Sequence, residues 1–200
     1  MQMPAAGVRT IGFDVQEGEL VLRGDPHATS VSMRVSIDRL WIFRLGRKES
    51  SNDPSRSLGE GTGELKIVTD IPRSIASWGR AEYPIDFEVG LPAGIPLQVR
   101  DTSGSIRISP LNAPVEVHDG SGTLMISDVH GVVTVVKDSG DIQVEPVSDV
   151  TRITSKTGQM RLHDLARLEI EESDGSLEIV TTGPGHIRAD SSIARRWCRD

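Results

Sequence analysis

The chain has 200 residues, of which 36% are apolar and 26% charged, and a formal net charge of −7 at pH 7. This length favours a single domain, and its core must be mostly aliphatic because only 4% of the residues are aromatic. The negative charge argues against nucleic acid and anionic lipid as partners, since both would be repelled on average.

The sequence contains no signal peptide and no run of 18 apolar residues, so no membrane segment is predicted. We therefore expect a cytoplasmic protein, or an envelope or surface protein if a leader has been trimmed. The one cysteine, Cys198, has no partner for an internal disulfide. The fold must be stabilised by packing and hydrogen bonds.

Residues 1–43 are predicted to form irregular strands that cap one end of the core. Apolar residues alternate with polar ones over 11–15 and 20–22, on either side of a glycine, as expected for two short strands joined by a turn. A further alternating run, 31–37, leads to the apolar cluster 40–43. We expect this cluster to cover one end of the fold.

Residues 44–63 are rich in Ser, Gly and charge and show no periodicity, which predicts a flexible insertion loop. The insertion is locally basic on an acidic protein, and an alternative interpretation is a partner-binding arm. Its candidate binding residues are Arg44, Arg47, Lys48 and Arg56. Residues 64–96 are predicted to be strands that lead into the regular part of the chain.

A regular repeat occupies residues 97–190. Each repeat has a tight corner with a glycine, an alternating strand before it and another after it. The glycine permits a backbone conformation that other residues adopt only at a cost. The corner glycines are evenly spaced, except that the last interval is one position shorter than the others, and they are Gly104, Gly122, Gly140, Gly158 and Gly175.

The repeat predicts an all-β, single-domain β-solenoid of two-stranded coils of about 18 residues, with residues 191–200 as a C-terminal tail or cap. Stacked coils would align their apolar residues in inner columns. The column before the corners is Val99, Val117, Val135, Ile153 and Ile170, and the column after them is Ile108, Ile126, Val144, Leu162 and Ile179.

The segment 84–99, PIDFEVGLPAGIPLQV, leads into the turn SGSIRI at 103–108. This pattern resembles the bacterial putative adhesin domain of unknown function, in which a segment of type V-x-L-P-x-G-x-x-L-x-V opens a ladder of S-G-x-I-x-V turns. The resemblance covers residues 84–190 well and the first third of the chain loosely, through 18–24. It implies a β-solenoid and no catalytic residues.

No catalytic or phosphate-binding motif occurs in the sequence, so we predict no enzyme activity, no cofactor and no metal. The histidines occupy different offsets from the repeat glycines and would not converge on a metal ion; they are His27, His118, His130, His163 and His186. The acidic corner residues are better explained by turn chemistry than by Ca²⁺ binding; they are Asp101, Asp119, Asp138 and Asp174.

These features favour a non-enzymatic scaffold or protein-interaction module. Its partner would be another protein or a second copy of the chain bound at an end of the rod, where strands lack neighbours. A surface or envelope adhesin is the alternative. An enzyme or a nucleic-acid-binding protein with its site on the insertion or the rod ends is the third hypothesis.

Overall fold

The structure is a computed structural model that describes residues 2–37, 56–58, 63–68, 85–181, 185–189 and 194–198. Strands are the only regular elements of these residues, which gives an all-β fold. None of these residues forms a helix of the length and hydropathy that crossing a membrane requires. The strands are β1 (Gln2–Pro4), β2 (Thr10–Val15), β3 (Glu19–Asp25), β4 (Ser30–Ile37), β5 (Arg56–Leu58), β6 (Glu64–Val68), β7 (Ile85–Pro92), β8 (Leu97–Asp101), β9 (Gly104–Ile108), β10 (Val115–Asp119), β11 (Gly122–Ile126), β12 (Val133–Lys137), β13 (Ile142–Val144), β14 (Val147–His163), β15 (Leu165–Thr181), β16 (Gly185–Ala189) and β17 (Ala194–Cys198).

Two parallel ladders run through the regular part of the chain. In the first, β8, β10 and β12 pair so that each residue lies opposite the equivalent residue of the next repeat, as Leu97, Val115 and Val133 do. In the second, β9, β11 and β13 pair with the same offset. The long strands β14 and β15 continue both ladders, which end at β16 and β17.

Alternation of apolar and polar residues decides which side of each ladder is buried. Every residue of the two predicted inner columns is at most 4% exposed, which confirms the assignment of inward and outward faces. These residues belong to one continuous apolar cluster, which also includes Ile11, Phe13, Leu20 and Leu22. A single aliphatic core therefore extends from the N-terminal strands to β15.

The N-terminal strands do not stack in chain order. β2 pairs with β8 on one side and with β6 on the other, and β3 lies in the same way between β9 and β7. The strands β6 and β7 thus lie one layer further out than β2 and β3, although the sequence predicted that residues 64–96 lead directly into β8. The inner faces of β2 and β6 are both aliphatic or aromatic. The amino-acid pattern therefore does not show whether β2 or β6 is the strand that pairs with β8.

The outermost layer at this end is antiparallel. β4 pairs with β7, β1 pairs with β4, and β5 pairs with β6, all in antiparallel register. β5 falls within the predicted insertion 44–63, where the residue pattern does not indicate a strand. Arg56 lies in β5 opposite Ile67, whereas Arg44, Arg47, Lys48 and the apolar cluster 40–43 lie outside the described residues.

The corner glycines form a column of their own. Gly104, Gly122, Gly140 and Gly158 have φ values of +140°, +113°, +95° and +135°. A Cβ atom on any of them would overlap the carbonyl oxygen of the equivalent glycine one layer below, which is Gly18 in the case of Gly104. Gly175 lies opposite Gly158 in the β14–β15 pair. Both the backbone angle and the close approach of the layers require glycine here.

A second corner follows each second strand. Asp128 and Asp164 adopt the left-handed conformation there, with φ values of 59° and 51°, which aspartate tolerates better than most residues. Beyond the corner, Leu111 pairs with Val129 and Val129 with Val147 in parallel bridges. These buried side chains close the third side of the core.

The predicted C-terminal tail contains a strand. β17 pairs with β15 in parallel, with Ala194 opposite Leu177 and Cys198 opposite Thr181. This segment therefore adds one more strand to the second ladder.

Two neighbouring valines test the inward and outward assignment. Val135→Asp places a charge at a fully buried position without a partner, so we expect loss of about 4 kcal/mol or more of stability, enough to unfold the domain. Val136→Asp, at a position 38% exposed, should change stability by less than about 1 kcal/mol. Thermal and urea denaturation measure both, and cooperative melting of the Val135→Asp protein at the wild-type temperature would refute the assignment.

Two glycines test the stacking of the corners. Gly122→Ala should lower the free energy of unfolding by at least about 1–3 kcal/mol, because the methyl group meets the Gly104 carbonyl oxygen and φ is +113°. Gly94→Ala is the control, since a Cβ atom there has no neighbour within 4 Å. Equal stability of the two variants in urea denaturation would show that the layers are not this close.

Candidate functional site

Two acids and a lysine lie inside the core, at the last inward position of the first ladder. Asp101, Asp119 and Lys137 end β8, β10 and β12, and the register places them directly opposite one another on successive strands. They are 8%, 4% and 1% exposed, and Ser155, the next residue of the column, is 3% exposed. We call Asp101, Asp119 and Lys137 the charged column.

The charged column is held by a buried ion pair and by backbone hydrogen bonds to its carboxylates. Lys137 Nζ donates to Asp119 Oδ2, and neither side chain is exposed to solvent. The Ser103 amide donates to Asp101 Oδ1 over 3.2 Å. The other oxygens, Asp101 Oδ2 and Asp119 Oδ1, have no hydrogen-bond partner among the described residues. The charged column thus contains two buried carboxyl groups and one cation, which contacts Asp119.

Burial dominates the electrostatics of the charged column. It raises the pKa of Asp101 from 3.8 to about 6, and the neighbouring Asp119 carboxylate adds to the increase. Burial also raises the pKa of Asp119, although the hydrogen bond and the charge of Lys137 act in the opposite direction. At neutral pH the core therefore holds carboxyl groups whose ionised forms are poorly solvated.

The prediction that Asp101, Asp119, Asp138 and Asp174 form one set of corner residues is wrong. Asp101 and Asp119 are buried, whereas Asp138 follows the column residue Lys137 and is exposed. The signal was available, because the third residue before each corner glycine continues the inward alternation of its strand. At this offset the repeats carry Asp101, Asp119, Lys137, Ser155 and Glu172.

The other candidate residues do not converge on one site. His118 contacts Glu116 at 2.9 Å and lowers the pKa of that carboxyl by hydrogen bonding, and His130 contacts Ser148 at 3.2 Å. His27 is exposed. The part of the chain that the structure describes contains no group of three or more His, Cys, Asp or Glu residues that could hold a metal ion.

The outward face carries ion pairs between neighbouring layers. Arg152 lies 2.8 Å from Glu169, and Gln98 donates to Glu116 over 3.1 Å. At the N-terminal end, a shallow open groove lies beside Arg34 and Glu88, which are 3.3 Å apart, and beside the exposed Val35. Exposed pairs of this kind contribute little stability, so this surface is a solvated face.

The two ends of the ladders differ. At the C-terminal end, β16 and β17 pair with β15 on one side, and no other described strand pairs with either of them. At the N-terminal end, the outermost strands are β1 and β5, each only three residues long. Among the described residues, two five-residue parallel edges therefore lie at one end and two short edges at the other.

Comparison with solved structures finds a similar chain, described as a putative cell adhesion protein from Clostridium sporogenes ATCC 15579. The superposition has a TM-score of 0.50 and 14% sequence identity, and it covers 96% of this chain and 98% of that one. The likeness extends over the whole length and concerns the fold. No family model and no curated protein matches the sequence.

The raised pKa of Asp101 predicts a pH-dependent stability. The folded state binds the Asp101 proton more tightly than the unfolded state does. Ionisation of Asp101 therefore does not lower the free energy of unfolding below pH 3.8, and it lowers it progressively as the pH rises to about 6. Asp101→Asn keeps an oxygen for the Ser103 amide and removes this loss of stability. Its stability relative to wild type should therefore increase between pH 4 and pH 7.5 by up to about 3 kcal/mol.

Urea denaturation at the two pH values measures this difference. Asp149→Asn, at an exposed position, is the matched control, with an expected effect below about 0.5 kcal/mol at both pH values. A constant difference between Asp101→Asn and wild type from pH 4 to pH 7.5 would contradict the raised pKa.

Proposed function

We propose that the chain is a non-enzymatic β-solenoid that acts as a scaffold or protein-interaction module and associates through its C-terminal end. The nearly constant offset between paired strands in the two parallel ladders supports the solenoid, because each coil then stacks on the previous one in the same register. Such a rod offers flat faces and ends as binding surfaces.

The observation that carries the proposal is the edge at β16 and β17, which pairs with no described strand other than β15. Each strand has five residues whose outward backbone amides and carbonyls face away from β15. Unpaired edges of this kind add strands from another chain readily. Two edges at the same end provide a composite surface for a second copy or for a partner that continues the ladders.

The N-terminal end is less suited to this role. Its parallel ladders are followed by antiparallel strands, and the edge strands β1 and β5 have three residues each. Short edges and a change of strand direction hinder the addition of further parallel strands. We therefore expect association at the C-terminal end to produce a defined oligomer, with a dimer as the simplest form.

The alternative is a surface or envelope adhesin. The Clostridium sporogenes protein that shares the fold is described as a putative cell adhesion protein, and the resemblance of residues 84–190 to the putative adhesin domain agrees with it. The groove beside Arg34 and Glu88 is the candidate contact surface for this alternative. Binding of labelled protein to bacterial or host cells, lost in an Arg34→Glu variant, would favour the adhesin.

Light scattering after size-exclusion chromatography over a concentration series tests the scaffold hypothesis, with electron microscopy of the same fractions. We expect a mass that rises with concentration to that of a defined oligomer. A strict monomer at all concentrations would refute self-association and leave a different protein as the partner.

A pair of proline variants tests whether the β17 edge is the contact. Successive amides of a strand point to opposite sides, so Arg195→Pro and Arg196→Pro remove one amide that faces β15 and one that faces outward. One variant should fold as wild type but remain monomeric, and the other should lose stability. Oligomers formed by both variants with unchanged affinity would exclude β17 from the interface.

A further inference from the structure

We propose that Lys137 and Asp119 become joined by an intramolecular amide bond between Lys137 Nζ and Asp119 Cγ, which covalently links β10 to β12. The bond would be an internal cross-link of the domain, formed without another protein. Three observations support it: the contact of the two side chains, their complete burial, and a second carboxyl group beside them.

The contact is fixed by the register of the ladder. Asp119 and Lys137 are direct neighbours on adjacent parallel strands, and Lys137 Nζ already donates to Asp119 Oδ2. An amine held against a carboxyl group reacts as if its local concentration were many molar, because no orientation has to be found. The register of the strands thus supplies the proximity and orientation that two free side chains in water lack.

Burial keeps water away from the two reacting groups. Neither side chain is exposed, and the surrounding core is aliphatic, with Val117, Val135 and Ile153 on the same ladder. In such surroundings the two charges are not stabilised by water. The product is a neutral amide, which removes both charges from the core.

Asp101 is placed to relay protons during the condensation. It lies opposite Asp119 on the other neighbouring strand, with Oδ2 lacking a partner among the described residues, as does Asp119 Oδ1. Its raised pKa, about 6, agrees with a carboxylic acid that can donate. A protonated Asp101 can donate a hydrogen bond to the Asp119 carboxyl, polarise it and return a proton to the departing oxygen.

The step balances without any other reactant. Lys137 transfers one proton to Asp119, and the resulting amine attacks Cγ of the carboxylic acid. A C–N bond forms, the C–OH bond breaks, and the hydroxyl leaves with the second amine proton as one water molecule. Nothing is oxidised or reduced, and Asp101 regains its proton at the end.

Mass spectrometry of the intact, purified chain tests the proposal. We expect a mass lower by about 18 Da, one water, than that calculated from the sequence. The matched control is the double variant Asp119→Leu/Lys137→Met, which removes both charges together and should therefore fold. Its mass should equal the calculated value after the same purification. A wild-type chain at full mass would overturn the proposal.

Trypsin digestion locates the bond. Arg107, Lys137 and Arg152 are consecutive cleavage sites, so an unmodified chain yields fragments 108–137 and 138–152. The linked chain should resist cleavage after Lys137 and yield one fragment, 108–152, lighter by about 18 Da. Cleavage after Lys137 with the same mass loss would instead indicate a succinimide at Asp119–Gly120, and this result would also overturn the proposal.

The role of Asp101 is tested separately, in protein freshly synthesised at low temperature so that the reaction can be followed. Asp101→Asn should fold, as circular dichroism would show, yet form the link at least about tenfold more slowly than wild type. Asp101→Glu, which restores a carboxyl group, should recover linkage in part. If Asp101→Asn forms the link completely and at the wild-type rate, Asp101 has no part in the reaction, although the link itself is still established.

Discussion

Backbone pairing between successive parallel strands of each ladder is the interaction on which this structure depends. Leu97 N donates to Pro114 O over 3.0 Å, and Val115 N donates to Val132 O over 2.9 Å in the layer above. Each layer thus satisfies the polar backbone groups of the next, so its side chains are free to form continuous columns. The glycine column follows from the same constraint, because a corner carbonyl occupies the space that a Cβ atom would need.

The charged column is the one part of the core that breaks the aliphatic pattern. Val99, Val117 and Val135 are identical, so the apolar columns would tolerate pairing shifted by one strand of the ladder with little change in packing. The order Asp101, Asp119, Lys137 is not repeated from strand to strand, and such a shift would separate the cation from its carboxylate. Buried polar groups can specify register in this way, at a cost in stability.

Much of the regular part of the fold could be predicted from the sequence. The regular spacing of the corner glycines and the alternation of residues identify Val135 and Ile126 as inward because both signals are local. The order of the N-terminal layers could not be predicted, since the aliphatic faces of β2 and β6 are interchangeable as neighbours of β8. The charged column was missed because Asp101 and Asp119 also suit a turn, and this local preference obscured the inward alternation that places both of them, with Lys137, in the core.

The position of β2 against β8 has a consequence for how the chain folds. Leu97 and Val115 are close in sequence, whereas Ile11 and Leu97, which form the same kind of pair, are separated by most of the N-terminal half of the chain. Closing the longer loop costs about 1.4 kcal/mol more in chain entropy, so the strands from β8 onward can pair before the N-terminal strands dock. During synthesis, β2 and β3 leave the ribosome long before β8 and β9 exist. Synthesis thus separates β2 and β3 in time from the parallel layer, β8 and β9, on which they pack.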